Sequence, residues 1–149
     1  MSRRHPIDVL NRLLRLLFRS LPVYLQGTQF WARGGDAPGL AVLQTIAADR
    51  KRFAKRLAAA IDQRGGVAEA GQFPAAFTGL NDVSLEYLLD CVGRAQQKEI
   101  PAIQRHLVEL EGDPEAHALA AEILANACKH REMLDGLAQV PAPSPFPRD

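Results

Sequence analysis

The chain has 149 residues and a mass of 16.3 kDa, the size of one domain with enough length to bury a core. Hydrophobic residues make up 47% and charged residues 23%, with a formal net charge of +1, values that exclude an intrinsically disordered chain and a binder of polyanions by overall charge. No apolar run approaches the roughly 18 residues of a membrane span, no secretion signal follows Arg3 and Arg4, and the two cysteines are too few for a disulfide scaffold, so a cytoplasmic setting is expected.

Abundant Ala and Leu favour helix, and four long helical patterns follow in chain order. Residues 7–33 read as the first, with the stripe Leu10, Leu13 or Leu14, Leu17, Leu21 and Tyr24 spaced by threes and fours toward a core; Pro22 is expected to bend it. Gly34, Gly35 and Gly39 interrupt the chain. The second helix spans residues 37–64 with the stripe Leu43, Ile46, Arg50, Phe53, Leu57 and Ile61, opened by Pro38 and closed by Gly65 and Gly66. Residues 65–83 form a connection too long for a tight hairpin. Ser84 is a candidate N-cap for the third helix, residues 84–111, whose stripe is Leu85, Leu88, Val92, Ala95, Glu99, His106 and Leu110, with a bend expected at Pro101. Asp113 caps and Pro114 opens the fourth, which runs to residue 137 with the stripe Ala120, Ile123, Ala127, His130 and Leu134. The organisation is thus a helical domain over residues 1–139 and a Pro-rich tail, 140–149, that cannot be helical. Short link, long crossover, short link is the loop pattern of a four-helix bundle with one crossover. No strand pattern is present.

Three stripes carry a polar intrusion near mid-helix: Arg50, Glu99 and His130. Buried ionic groups are costly unless paired, so their coincidence at one level predicts that they meet, Arg50 and Glu99 as a bidentate pair with the His130 imidazole hydrogen-bonded alongside.

Over residues 8–137 the chain resembles the ferritin-like superfamily, the bacterioferritin type in particular. Leu10-Asn11-Arg12-Leu13-Leu14 with Leu17 and Tyr24 is similar to that family's first helix, and Ile46-Ala47-Ala48-Asp49-Arg50-Lys51-Arg52-Phe53-Ala54 to its second. Glu99-Ile100 and Glu122-Ile123-Leu124-Ala125-Asn126-Ala127-Cys128-Lys129-His130 are similar to the third and fourth. The resemblance implies an all-α, up-down-down-up bundle. In the family, one Glu from each of two helices and two Glu-x-x-His pairs hold two metal ions. Carried over position by position, the six places are Leu17, Arg50, Phe53, Glu99, Ala127 and His130. Four cannot ligate a metal, and Arg50 brings a permanent positive charge to the cation's place. The haem-ligating Met of the family falls at Lys51. The expectation is a degenerate di-iron site with no metal and no cofactor, in which Leu17 and Phe53 refill the space and Arg50–Glu99 replaces the metal as the crosslink.

Competing chemistry is limited. Glu99, His106 and His130 are a candidate mononuclear zinc site, with Cys128 more distant. Otherwise Cys91 and Cys128 are expected as small core hydrophobes, and His5 and His117, near helix starts, as exposed. No glycine pattern matches a nucleotide fingerprint. Residues 1–65 carry twelve basic and four acidic residues, a balance of +8, and residues 66–149 six against thirteen, a balance of −7. The basic stretch Arg50, Lys51, Arg52, Lys55, Arg56 is a candidate DNA-binding face; the favoured reading is a solvated face that pairs within the bundle or across a dimer. The consecutive Leu16, Leu17 and Phe18 exceed one stripe, and the resemblance implies a homodimer through the first two helices; neither nucleic acid nor membrane is favoured as a partner. The expected function is that of a non-catalytic structural or protein-interaction module. Metal storage or oxidation, or DNA binding, are the alternatives.

Overall fold

The first helix begins where the sequence supplies a cap and a proline. In the computed structural model, which describes residues 5–26, 37–73, 77 and 85–138, α1 is Pro6–Phe18. His5 stands before it in an extended conformation and its Nδ1 accepts the Ile7 N–H at 3.2 Å, satisfying one of the amides that a helix start leaves unpaired. The expected helix over 7–33 is not continuous. It stops at Phe18, the Ser20 hydroxyl donates to the Leu17 carbonyl at 2.7 Å, and a short α2, Leu21–Gln26, follows. Pro22 therefore sits in the first turn of a new helix instead of bending an old one; there its missing N–H leaves no bond unmade. The rest of the expected helix, residues 27–33, lies outside the described residues.

The other three helices are close to expectation: α3 is Ala37–Gln63, α4 is Leu85–Glu109 with Pro101 inside it, and α5 is Pro114–Ala138. Gly65, at φ 76°, closes α3. Gly66 N–H bonds to the Ile61 carbonyl and Gly65 N–H to that of Asp62, both at 3.0 Å, the paired termination for which a left-handed glycine is best suited. Asp113 caps α5, its Oδ1 accepting the Ala116 N–H at 3.2 Å. The expected Ser84 cap and the tail 140–149 lie outside the described residues. Among the described residues there is no strand, so the fold is all-α.

Side-chain pairs fix the helix directions. Asp49 meets His130, Arg56 meets Glu122 and Arg64 meets Asp113, so α3 and α5 run antiparallel. Leu43 and Ile46 share a cluster with Leu88 and Val92, and one step further along Arg50 meets Gln96 and Glu99, so α3 and α4 run parallel. The start of α1 lies at the end of α3, where a Cβ on Gly66 would come within 2.7 Å of Ile7.

The hydrophobic core is in two parts. The larger gathers Leu10, Leu13, Leu14 and Leu17 of α1 with Phe53, Leu57 and Ile61 of α3, Ile100 and Ile103 of α4, and Ala120, Ile123 and Ala127 of α5. The smaller is Leu43, Ile46, Leu88 and Val92, with Tyr24 and Leu134 against it. The two meet at the level of residue 50, where the polar side chains lie.

Candidate functional site: a polar layer in the core

Arg50 occupies a stripe position of α3 between Ile46 and Phe53, so the helix carries its guanidinium inward; the residue is 3% exposed. Its Nη2 donates to Glu99 Oε2 at 2.5 Å and its Nη1 to Glu99 Oε1 at 3.3 Å, a fork-on-fork pairing that a lysine could not make. Nη2 also donates to Gln96 Oε1 at 3.3 Å, and Gln96 Nε2 donates to the Ala127 carbonyl of α5 at 2.8 Å. Three helices are thus joined through one guanidinium and one amide. Among the described residues, Arg50 Nε is the buried side-chain nitrogen left without a hydrogen-bond partner.

The imidazole joins a different carboxylate from the one expected. His130, 1% exposed, places Nε2 2.8 Å from Asp49 Oδ2, and Asn126 Nδ2 donates to the same oxygen at 3.0 Å. Asn126 and His130 are four residues apart on α5 and share a face; both reach Asp49, the neighbour of Arg50. Arg52 approaches the other Asp49 oxygen at 3.4 Å. Burial pushes the His130 imidazole below its ordinary range and the charge of Arg50 acts the same way, outweighing the hydrogen bond it makes to Asp49. Near neutral pH the ring is therefore uncharged and Nε2–H donates to the carboxylate. Burial alone would raise the Asp49 carboxyl, but the hydrogen bonds from His130 and Asn126, with the charge of Arg52 nearby, hold it low.

The other expected residues divide clearly. Leu17, Phe53 and Ala127 are buried together in the larger cluster, at 3%, 4% and 5% exposure, and the guanidinium groups of Arg52 and Arg56 lie over the Phe53 ring at 4.8 and 5.4 Å. Lys51 is exposed. Glu99, His106 and His130 are not brought together. His106 Nδ1 bonds to Glu109 at 3.0 Å, its ring held below the ordinary range by burial; Glu99 is taken by Arg50 and His130 by Asp49. Among the described residues no group of three or more His, Cys, Asp or Glu side chains is close enough to share a metal ion. The six family positions do not fit a di-metal centre: three are hydrocarbon and a fourth is a cation.

Four expectations change. Cys128 is exposed and Cys91 only half-buried, with Arg94 Nη2 at 3.7 Å from its sulfur, so neither is a core hydrophobe. His117 is half-buried, whereas His5 is exposed as expected. On α4 the inward position is Gln96, at 1% exposure, and Ala95 points out. Gln96, Asp49 and Asn126 were not expected in the layer. The available signals were the eight residues from Leu88 to Gln96, through the buried Val92, and the four-residue spacing of Asn126 and His130.

No protein-family model and no curated protein matches this chain.

Proposed function

We propose that the chain is a metal-free, ferritin-like four-helix bundle of up-down-down-up order that acts as a structural or protein-interaction module and not as a catalyst. Support for the topology comes from helix directions: α3 and α4 parallel with α5 antiparallel to α3 is the arrangement that a long crossover between the middle helices produces. The observation that carries the functional reading is the Arg50–Glu99 pair. It fills the level of the core where the family's ions would lie, with a guanidinium where a cation would need ligands. Leu17, Phe53 and Ala127 supply volume and no donor atoms.

A homodimer through the α1–α3 hairpin belongs to the same reading, as does a cytoplasmic location. Among the described residues no helix is long and apolar enough to cross a membrane.

The test is elemental analysis of untagged protein by mass spectrometry after incubation with ferrous iron and with zinc. Metal content well below one ion per chain is the expected result. One or two tightly held ions per chain, lost on His130→Ala substitution, would overturn the reading and return the protein to metal storage or oxidation.

A further inference from the structure

The two sides of the polar layer are built differently. On one side the larger cluster runs to the Arg64–Asp113 end; on the other stand Leu43, Ile46, Leu88 and Val92, edged by the partly buried Tyr24, Leu89 and Leu134. Among the described residues, the ion pairs that join two helices lie at the layer or on the larger side: Arg50–Glu99, His130–Asp49, Arg56–Glu122 and Arg64 with Asp113 and Glu115. On the smaller side Arg94–Asp90 and Arg131–Asp135 each stay within one helix and tie nothing together. Gly93 of α4 and Gly136 of α5 also lie there, and a Cβ at either would meet nothing within 4 Å. Packing does not call for glycine at these places, and each weakens its helix relative to alanine.

The backbone is interrupted at the same level. Ile7 and Ile61 flank Gly66, and Tyr24 packs against the smaller cluster, so α1 and α2 run back along α3 from its end. Phe18 lies eleven residues after Ile7 and Arg50 eleven before Ile61, about 16 Å in each case. The stop after Phe18 therefore falls beside Arg50. On α4, Pro101 follows Glu99 by two residues and has no N–H for the Gln97 carbonyl, so one hydrogen bond of the helix is missing there. Of the long helices, α3 and α5 pass the layer without a break. Phe73 spans the gap between α1 and α2, its ring 5.9 Å from Phe18 and 5.3 Å from Tyr24; it is a contact that a separation on that side must release.

We propose that the Leu43 side of the bundle, made of α2, the starts of α3 and α4 and the end of α5, opens as a cooperative unit of its own, hinged at the Arg50 layer, while the larger core stays closed. Cooperative units follow contiguous packing, and here the apolar packing is divided by a layer of polar side chains. The layer itself stays with the larger side, because Arg50, Glu99, Gln96 and the Ala127 carbonyl hold three helices together across it. Opening uncovers Leu43, Ile46, Leu88 and Val92 and leaves the larger cluster dry. The reverse order is closed to the chain: once the larger core is lost, the smaller cluster has nothing to stand on. This inference is independent of the ferritin-like reading and of any dimer.

The test is hydrogen exchange on the full chain, followed amide by amide by NMR at urea concentrations below the unfolding transition. Amides of residues 43–47, 89–95 and 132–137 form one set, and those of residues 54–61, 103–107 and 119–126 the other. The first set should share one opening equilibrium, at least about tenfold less protected than the second and less sensitive to urea, because less surface is exposed. Two matched variants then assign the units. Ile46 and Ile61 are both fully buried on α3, one in each cluster, and trimming either to valine is mild enough to keep the fold. Ile46→Val should speed exchange of both sets by the same factor, about two- to tenfold, since full unfolding includes opening of the smaller side. Ile61→Val should speed the second set alone. Equal protection of the two sets, or Ile61→Val speeding the first set as much as the second, would show a single cooperative bundle. Acceleration by Ile46→Val confined to α3 would show three helix ends fraying independently. Either result would overturn the proposal.

Discussion

Arg50 and Glu99 are unequal partners: their side chains are 4% and 13% exposed, so the arginine is the more deeply buried. Removing the guanidinium leaves a carboxylate facing hydrocarbon with only its outer edge in water. Breaking a buried pair typically costs about 3–5 kcal/mol, and the edge exposure of Glu99 places Arg50→Ala near the lower figure. Replacing both partners by hydrocarbon, Arg50→Met with Glu99→Leu, removes the desolvation cost along with the attraction and should recover most of that loss. Urea denaturation of Arg50→Met, of Glu99→Leu and of the double variant measures the coupling; Arg50→Ala as stable as the parent would show that the pair is no crosslink. His130 makes a separate, pH-dependent contribution. Its folded pKa lies below the ordinary 6.5, so as pH falls through that value the unfolded chain takes up a proton that the folded state refuses. Stability is then full above about pH 7 and declines as pH drops through the unfolded pKa toward the folded one. His106 is shifted in the same direction and adds to the slope. Replacing His130 by Gln should flatten the decline between pH 7 and 5 in part, leaving the His106 component, as thermal melts across that range would show. The stripes made Arg50, Glu99 and His130 legible because charge at a core position is conspicuous. They did not show which carboxylate the imidazole takes, since Asp49 is adjacent to Arg50 and reads as a surface residue until the helices are docked.

At the level of elements, the turn between α4 and α5 is tied to the end of α3 by one aspartate. Asp113 accepts from Arg64 Nε at 2.7 Å and Nη2 at 2.8 Å while also capping α5. Arg64 is itself steadied by the Ala60 carbonyl at 2.9 Å. The Arg64 hydrogen bond is the main reason the Asp113 carboxyl is held below its usual range, so this contribution is present above the ordinary carboxylate pKa and lost as pH falls through the depressed folded value. Asp113→Asn keeps an acceptor for the cap and loses the charge; Asp113→Ala loses both. The alanine variant should therefore be the less stable, by about 1 kcal/mol for the cap, and hydrogen exchange should show the first turn of α5 opening more readily in it than in the asparagine variant. The cap was legible because Asp113 directly precedes Pro114. Its partner was not, because Arg64 is 49 residues away and the pairing exists only once α3 and α5 lie antiparallel. The break after α1 is the opposite case, since Ser20 and Pro22 carried a local signal that the run of leucines on both sides obscured.

Across the whole molecule, part of the uneven charge of the two halves is paired within the chain. Arg50–Glu99, Arg56–Glu122, Arg64–Asp113 and Arg64–Glu115 each join a base of residues 1–65 to an acid of residues 66–149. Arg15–Glu69, at 4.0 Å, does the same for the segment that follows α3. A phosphate backbone would have to compete for Arg52 and Arg56 with Asp49 and Glu122, which already hold them. The pairs differ in their access to salt. The Debye length falls from about 10 Å at 0.1 M to about 3 Å at 1 M, which screens exposed pairs and leaves buried ones nearly intact. Arg56 and Glu122 have side chains 43% and 55% exposed, against 4% and 13% for Arg50 and Glu99. Stability should accordingly decline modestly as sodium chloride is raised over this interval. The Arg56→Gln/Glu122→Gln variant should show a shallower decline, because it has lost a salt-sensitive pair. Arg50→Met/Glu99→Leu should keep the parent's slope, because the pair it loses is shielded from the ions. Urea midpoints measured in low and high salt decide the matter. If the buried-pair variant flattened the slope more than the exposed-pair variant, the halves would be held by long-range attraction between a basic and an acidic hairpin, and not by the particular contacts along α3.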